Sequence, residues 1–253
     1  MKTKKNKTCN IVFLLISISS FTLFSGCVHY YYAPNAHNVP MFQEKGEVRL
    51  AGVRSYGSYH EGTEFQGAFS ITDKIGIIGN SYTAQGGDKE KNNYSEGSYY
   101  EAGCGYFKPV LEKFVFETYG GIGFGNVENR YKDYGYSNLD FYKYFLQPSF
   151  GFTTKFFDAV WSVRLCGLYY DRIDDHTIQD DKENTEYINN HKFSYLYEPA
   201  FTFRIGWKYL KIQIQYSISI NSNYPEFPMD GANLNIGLYL SIANKYLKKN
   251  HKS

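Results

Sequence analysis

The sequence predicts an all-β fold, an antiparallel up-and-down transmembrane β-barrel of about ten strands, and three observations predict it. Aromatic residues make up 19% of the 253 residues, with 26 Tyr and 20 Phe, while mean hydropathy is only −0.46. After residue 27 no apolar run is long enough for a membrane-spanning helix. From Glu47 to Ala243, apolar and polar residues alternate in segments of about ten to fourteen residues, the length a tilted membrane strand and its interfacial ends require. Lipid would contact only alternate residues, so hydropathy stays low, and Tyr and Trp favour the interfaces. A soluble barrel or sandwich would also alternate, with its apolar side facing inward.

Residues 1–26 read as an export signal. Lys2, Lys4, Lys5 and Lys7 precede an apolar stretch from Ile11 to Phe24, too short to cross a bilayer. Losing this segment removes four lysines and no acids, so the formal charge falls from +2 to −2. No clustered basic face is left for nucleic acid, which excludes that partner class. Leu23-Phe24-Ser25-Gly26-Cys27 resembles the lipobox of bacterial lipoproteins. The resemblance implies cleavage before Cys27, acylation of that cysteine and passage through the lipoprotein-processing machinery. An ordinary signal peptide or an uncleaved anchor is the alternative.

Residues 27–46 include YYYAPNAHNVPMFQEKG, aperiodic and rich in Pro and Asn, and read as an extended periplasmic tether. This stretch resembles a segment that follows the lipidated cysteine in uncharacterised bacterial lipoproteins. The barrel is expected over 47–243 and a basic tail over 244–253. Its last two strands are the clearest: Leu210, Ile212, Ile214, Tyr216, Ile218 and Ile220 alternate with Lys211, Gln213, Gln215, Ser217 and Ser219. Leu234 to Ile242 repeats the pattern against Asn233, Asn235, Gly237, Tyr239 and Ser241. Earlier segments carry more aromatics on the apolar side, as in Trp161, Val163, Leu165 and Tyr169 against Ser162, Arg164 and Cys166. The Gly120–Gly125 run lies inside an alternating strand with no helix after it, so its glycines relieve crowding and do not form a phosphate loop.

Link lengths alternate as well. Short links at 73–74, 110–113, 155–158 and 207–208 interleave with long polar ones at about 85–96, 126–140, 171–192 and 222–231. In outer-membrane barrels short turns face the periplasm. The parity therefore puts both termini on that side of a Gram-negative outer membrane, where an acylated Cys27 would enter the inner leaflet. Asn235 to Ile242 resembles the C-terminal β-signal of outer-membrane barrels, which implies the barrel-assembly machinery as a partner.

The expected lumen holds Glu64, Glu101, Glu117, Lys143, Arg164, Glu198, Arg204 and Lys211, charges of both signs that are costly unless paired. Ten strands leave little more room than the eight that side chains can fill, so a polar network that fills the interior is expected, with no general diffusion pore. Around His176 stand Asp171, Asp174, Asp175, Asp180, Asp181, Glu183 and Glu186, an acidic loop without the ligand order of a calcium site. Asp174, Asp175 and His176 are the residues a rim enzyme would use, but no nucleophile motif accompanies them. Cys104 and Cys166 fall on opposite faces, so no bridge is expected, and no metal or cofactor motif is present. The expectation is a non-catalytic, lipid-anchored outer-membrane barrel with a structural or surface-interaction role. A lipoprotein whose soluble barrel binds an apolar ligand is the first alternative; a rim enzyme is the second.

Overall fold

A computed structural model describes residues 29–178, 181–224, 227 and 229–242. The signal with its Leu23–Cys27 junction, Asp180 and the basic tail lie outside these residues. The wall is built from β1 (Val48–Gly57), β2 (Glu61–Ser70), β3 (Ile75–Asp88), β4 (Asn93–Leu111), β5 (Phe114–Tyr131), β6 (Gly135–Thr153) and β7 (Phe157–Asp175). A helix, α1 (Asp181–Asn190), follows, then β8 (Phe193–Gly206), β9 (Leu210–Ile218), β10 (Ile220–Asn221) and β11 (Ala232–Ile242). Each strand pairs antiparallel with its neighbours, and β11 pairs with β1 to close the ring. β10 continues β9 in the same register on β8, so the wall has ten strands. The interruption falls beside Pro199, which has no N–H for the ladder.

Alternation sets which side meets which medium. Leu210, Ile212, Ile214, Tyr216 and Ile218 point outward and are exposed, while Lys211, Gln213, Gln215 and Ser217 are buried inside. The same holds around the ring, with Trp161, Leu165, Tyr195 and Phe201 outside and Arg164, Glu198 and Thr202 inside. The soluble-barrel alternative required the reverse and is overturned. On β5 the outward positions are apolar or small from Phe114 to Phe124, eleven residues that cover ~25 Å at ordinary rise and tilt. Above them Asn126, Glu128 and Arg130 face out, and neighbouring strands also turn polar there. This is the apolar band of a membrane-spanning barrel.

The long links differ from expectation. Much of 85–96 and 126–140 is strand, and the hairpins themselves are only Lys89–Asn92 and Lys132–Tyr134. The wall is therefore tallest at β4 to β7, where outward ion pairs such as Arg130–Glu128 and Arg172–Asp140 replace apolar residues above the band. Polar composition gave these segments the look of loops; the β ladder continues because outward polar side chains meet water there. Inward glycines make room for rings. A Cβ on Gly121 would lie 2.6 Å from the Phe145 ring, and one on Gly125 2.7 Å from Phe141.

Candidate functional site

The interior is occupied by the chain's own N-terminal segment. Apart from the partly covered Ala33, every residue from Tyr30 to Phe42 is buried inside the wall. The stretch expected as a tether is thus extended, as its Pro and Asn content dictates, but it is seated as a plug.

Its middle is ionic. The Asn35 side-chain oxygen accepts from Arg164 at 2.9 Å and Lys143 at 3.1 Å, while its NH2 donates to Glu64 and Glu101, each at 3.1 Å. An amide suits this position because one end accepts from cations and the other donates to carboxylates. Glu64 also accepts the Ala36 N–H at 2.8 Å, and Arg164 reaches Gln147 and the Ala36 carbonyl. Glu101 accepts the Tyr99 hydroxyl at 2.7 Å and lies 3.4 Å from Arg164. Tyr32 donates to Glu198 at 2.9 Å and accepts from Lys143 at 2.8 Å. Five of the eight expected lumen residues, Glu64, Glu101, Lys143, Arg164 and Glu198, therefore meet around one short piece of plug.

The other three lie nearer the short turns. Arg204 donates to the Val39 carbonyl at 2.9 Å, stacks 3.7 Å over the Tyr239 ring and lies 3.8 Å from Asp158. Lys211 pairs with the same Asp158 at 2.5 Å. Glu117 stands apart and accepts the Met41 N–H at 2.9 Å, holding Met41 at φ 54, a left-handed conformation costly for a side chain of its kind. Below, Pro40, Met41, Arg49, Asp158, Lys211 and Tyr239 border a vestibule of about 440 Å³ at the short-turn end.

Sequence reasoning missed Tyr32, Asn35, His37 and Asn38 as lumen residues. A signal was present: from Val28 to Gln43 there is no Asp, Glu, Lys or Arg, unusual for a segment expected to lie in water. His37 bonds Ser162 at 2.8 Å, and His29 bonds the Arg130 carbonyl at 2.8 Å. His60 lies 2.8 Å from Asp230, which also accepts the N–H groups of Ser58 and Tyr59.

The acidic segment is a clamp around α1. Asp175 accepts the Thr177 N–H and hydroxyl and the Thr185 hydroxyl, while Asp174 pairs with His176 at 3.2 Å on the exposed rim. Among the described residues no group of three or more His, Cys, Asp or Glu is placed to hold a metal. Cys104 is exposed and Cys166 buried, on opposite faces.

No family model matches the chain, and no curated protein matches it in sequence. The chain is similar to solved porin and channel barrels. An outer membrane channel from Pseudomonas putida F1 shares 11% identity, with 83% of this chain and 100% of that one covered, at a TM-score of 0.44. The transport unit of the autotransporter AIDA-I from Escherichia coli shares 9% over 94% and 100%, at 0.41, and a KdgM porin 10% over 77% and 99%, at 0.38.

Proposed function

We propose that this protein is a lipid-anchored outer-membrane barrel that neither conducts nor catalyses, and that presents its tall β4–β7 wall as a surface for structural or adhesive contacts. The observation that carries the closed lumen is the plug from Tyr30 to Phe42, bonded to Glu64, Glu101, Glu117, Lys143, Arg164 and Arg204 on all sides. Displacing it would strand several buried ions, each costly to leave unpaired. The Leu23–Cys27 junction supports the anchor, and the outward polar wall above the apolar band supports a role at the surface.

Reconstitution of the full chain in planar bilayers tests the closed lumen, with the expected trace flat at 100 mV in 1 M KCl. Regular single-channel steps from heat-modifiable, folded protein would show that the plug does not seal the barrel.

A further inference from the structure

The plug runs from His29, bonded to the Arg130 carbonyl at the long-hairpin rim, down to Phe42 near the short turns. It does not fill the lower mouth. Below Met41 it turns aside: Phe42 packs 5.3 Å from Phe107 of β4, and the Lys45 N–H reaches Asp73 in the β2–β3 turn at 3.0 Å. The vestibule of about 440 Å³ stays open beside it, within the ~300–1,000 Å³ of ligand pockets. Its charge is one-sided. Arg49, Lys113, Lys155, Lys208 and Lys211 border it, against Glu112 and Asp158. Arg49 and Lys211 are buried and paired with Glu47 and Asp158. Asp158 also faces the buried Arg204 Nη1, which is 3.8 Å away and makes no hydrogen bond, so one carboxylate serves two cations.

Three successive short turns each add one lysine to this mouth: Lys113 between β4 and β5, Lys155 between β6 and β7, and Lys208 between β8 and β9. The middle turn is tied down, because Thr154 Oγ1 accepts the Phe157 N–H at 2.9 Å and the Thr154 N–H reaches Asp158 at 3.3 Å. Lys155 therefore stands at a fixed tip. Among the described residues Lys113 and Lys155 have no ion-pair partner. At the opposite rim Lys89, Lys91, Arg130 and Arg172 each face a carboxylate, on Glu96, Asp88, Glu128 and Asp140. Like charges around a half-enclosed mouth raise the local potential and gather anions. Neighbouring short turns lie two strands apart, so these lysines are rooted ~10 Å from one another. A compact anion would have to draw their stems together against repulsion and lost rotamer freedom. An extended chain, at ~3.3 Å per residue, meets them where they stand if it carries a carboxylate at about every third residue.

We propose that the short-turn vestibule binds a carboxylate-bearing peptide of the cell wall, fastening the barrel to the layer beneath its membrane. This rests on the reading of the short-turn side as periplasmic. Lys113, Lys155 and Lys208 make the contacts, with Arg49 and Lys211 behind them. The tie is reversible and weakens with salt, since the rim lysines face water.

The test is co-sedimentation of the full-length protein, in detergent micelles, with purified cell-wall sacculi. Heat-modifiable migration confirms that each variant is folded. Changing Lys113, Lys155 and Lys208 together to Gln is expected to weaken binding about tenfold, as three exposed ion pairs would. Changing Lys89, Lys91 and Lys132 to Gln removes the same charge from the other rim and should leave binding as it was. Sacculi whose carboxyls have been amidated should not bind. Equal loss in the two triple variants, or undiminished binding to amidated sacculi, overturns the proposal. If inorganic polyphosphate binds through the three lysines and sacculi do not, the ligand is a phosphate chain and the proposal is likewise overturned. Orientation is read separately, by a membrane-impermeant maleimide on Lys113→Cys in a Cys104→Ala, Cys166→Ala background. Labelling only after lysis is expected. Labelling in intact cells would show that the mouth faces away from the wall, which removes the partner whatever the micelle assay gives.

Discussion

At the waist Asn35 faces four ionisable side chains, whereas seven residues further on Phe42 packs against Phe107 and under the Arg49 guanidinium. Both residues are buried within the same barrel, yet different forces hold them. The waist is a set of mutual obligations: Lys143, Arg164, Glu64 and Glu101 are tolerable inside only because each has partners, and Asn35 is a partner to all four. The lower end depends on removing apolar area from water and on ring contacts, which are less directional. An ionic waist fixes the register of the plug; an aromatic foot adds stability without choosing a register.

The largest test of this contrast is Asn35→Leu. Volume is nearly kept, but four hydrogen bonds to charged groups vanish together, each ordinarily worth ~1.5–3 kcal/mol when such a group is left short of a partner. Neighbouring bonds from Gln147, Tyr99 and Ala36 retain part of the solvation, so a net loss of about 3–5 kcal/mol is expected. Urea unfolding in detergent micelles, followed by gel mobility, measures it. An unchanged midpoint would mean that the ions satisfy one another without the plug.

Phe42→Ala should cost less, about 3 kcal/mol, at the low end for a deleted phenyl ring. The vestibule bordered by Met41 and Arg49 lets water occupy the space left behind. The same unfolding assay ranks the pair. If Phe42→Ala proves more damaging than Asn35→Leu, the foot and not the waist secures the plug. Bilayer conductance separates them further, because a loosened waist opens the middle of the lumen whereas a lost ring widens only its mouth.

The wall was legible because membrane and lumen impose opposite polarities on successive residues, so period two reports direction as well as strand. Leu210 to Ile218 show this most plainly, with lipid-facing and lumen-facing sets that share no residue type. Glu64, Glu101, Lys143, Arg164 and Glu198 could be placed inside by the same alternation, but nothing in that pattern says what stands between them. The plug has no period, since an extended segment surrounded on every side contacts the wall in all directions. Its positions 35 to 38 are defined by six different strands, β2, β3, β4, β6, β7 and β9, that are distant in sequence. The hairpins misled for a related reason: above the lipid band both faces of a strand are polar, and the alternation that marks β structure disappears although the ladder persists.

The top of the plug offers a third environment and the smallest predicted effect. There the Asp230 carboxylate accepts from His60, Ser58 and Tyr59 and ties the connection before β11 to the β1–β2 hairpin, beside Tyr30. Burial pushes the Asp230 carboxyl upward, but the His60 hydrogen bond and charge and the two backbone N–H groups outweigh it, so the group sits below the ordinary aspartate range. A carboxyl depressed in the folded state stabilises it above the unfolded pKa of ~3.9, and that contribution fades as pH falls through the lower folded value. Proton binding then favours the opened connection. Protection factors of the amides in the segment before β11, which correct for the intrinsic slowing of exchange in acid, should therefore fall below about pH 4. In Asp230→Asn, protection should already be lower at pH 7 and should lose this acid-dependent step. An equal fall in protection in both proteins would assign the step to other carboxylates. The tie would then be a neutral contact, closer in kind to the aromatic foot than to the ionic waist.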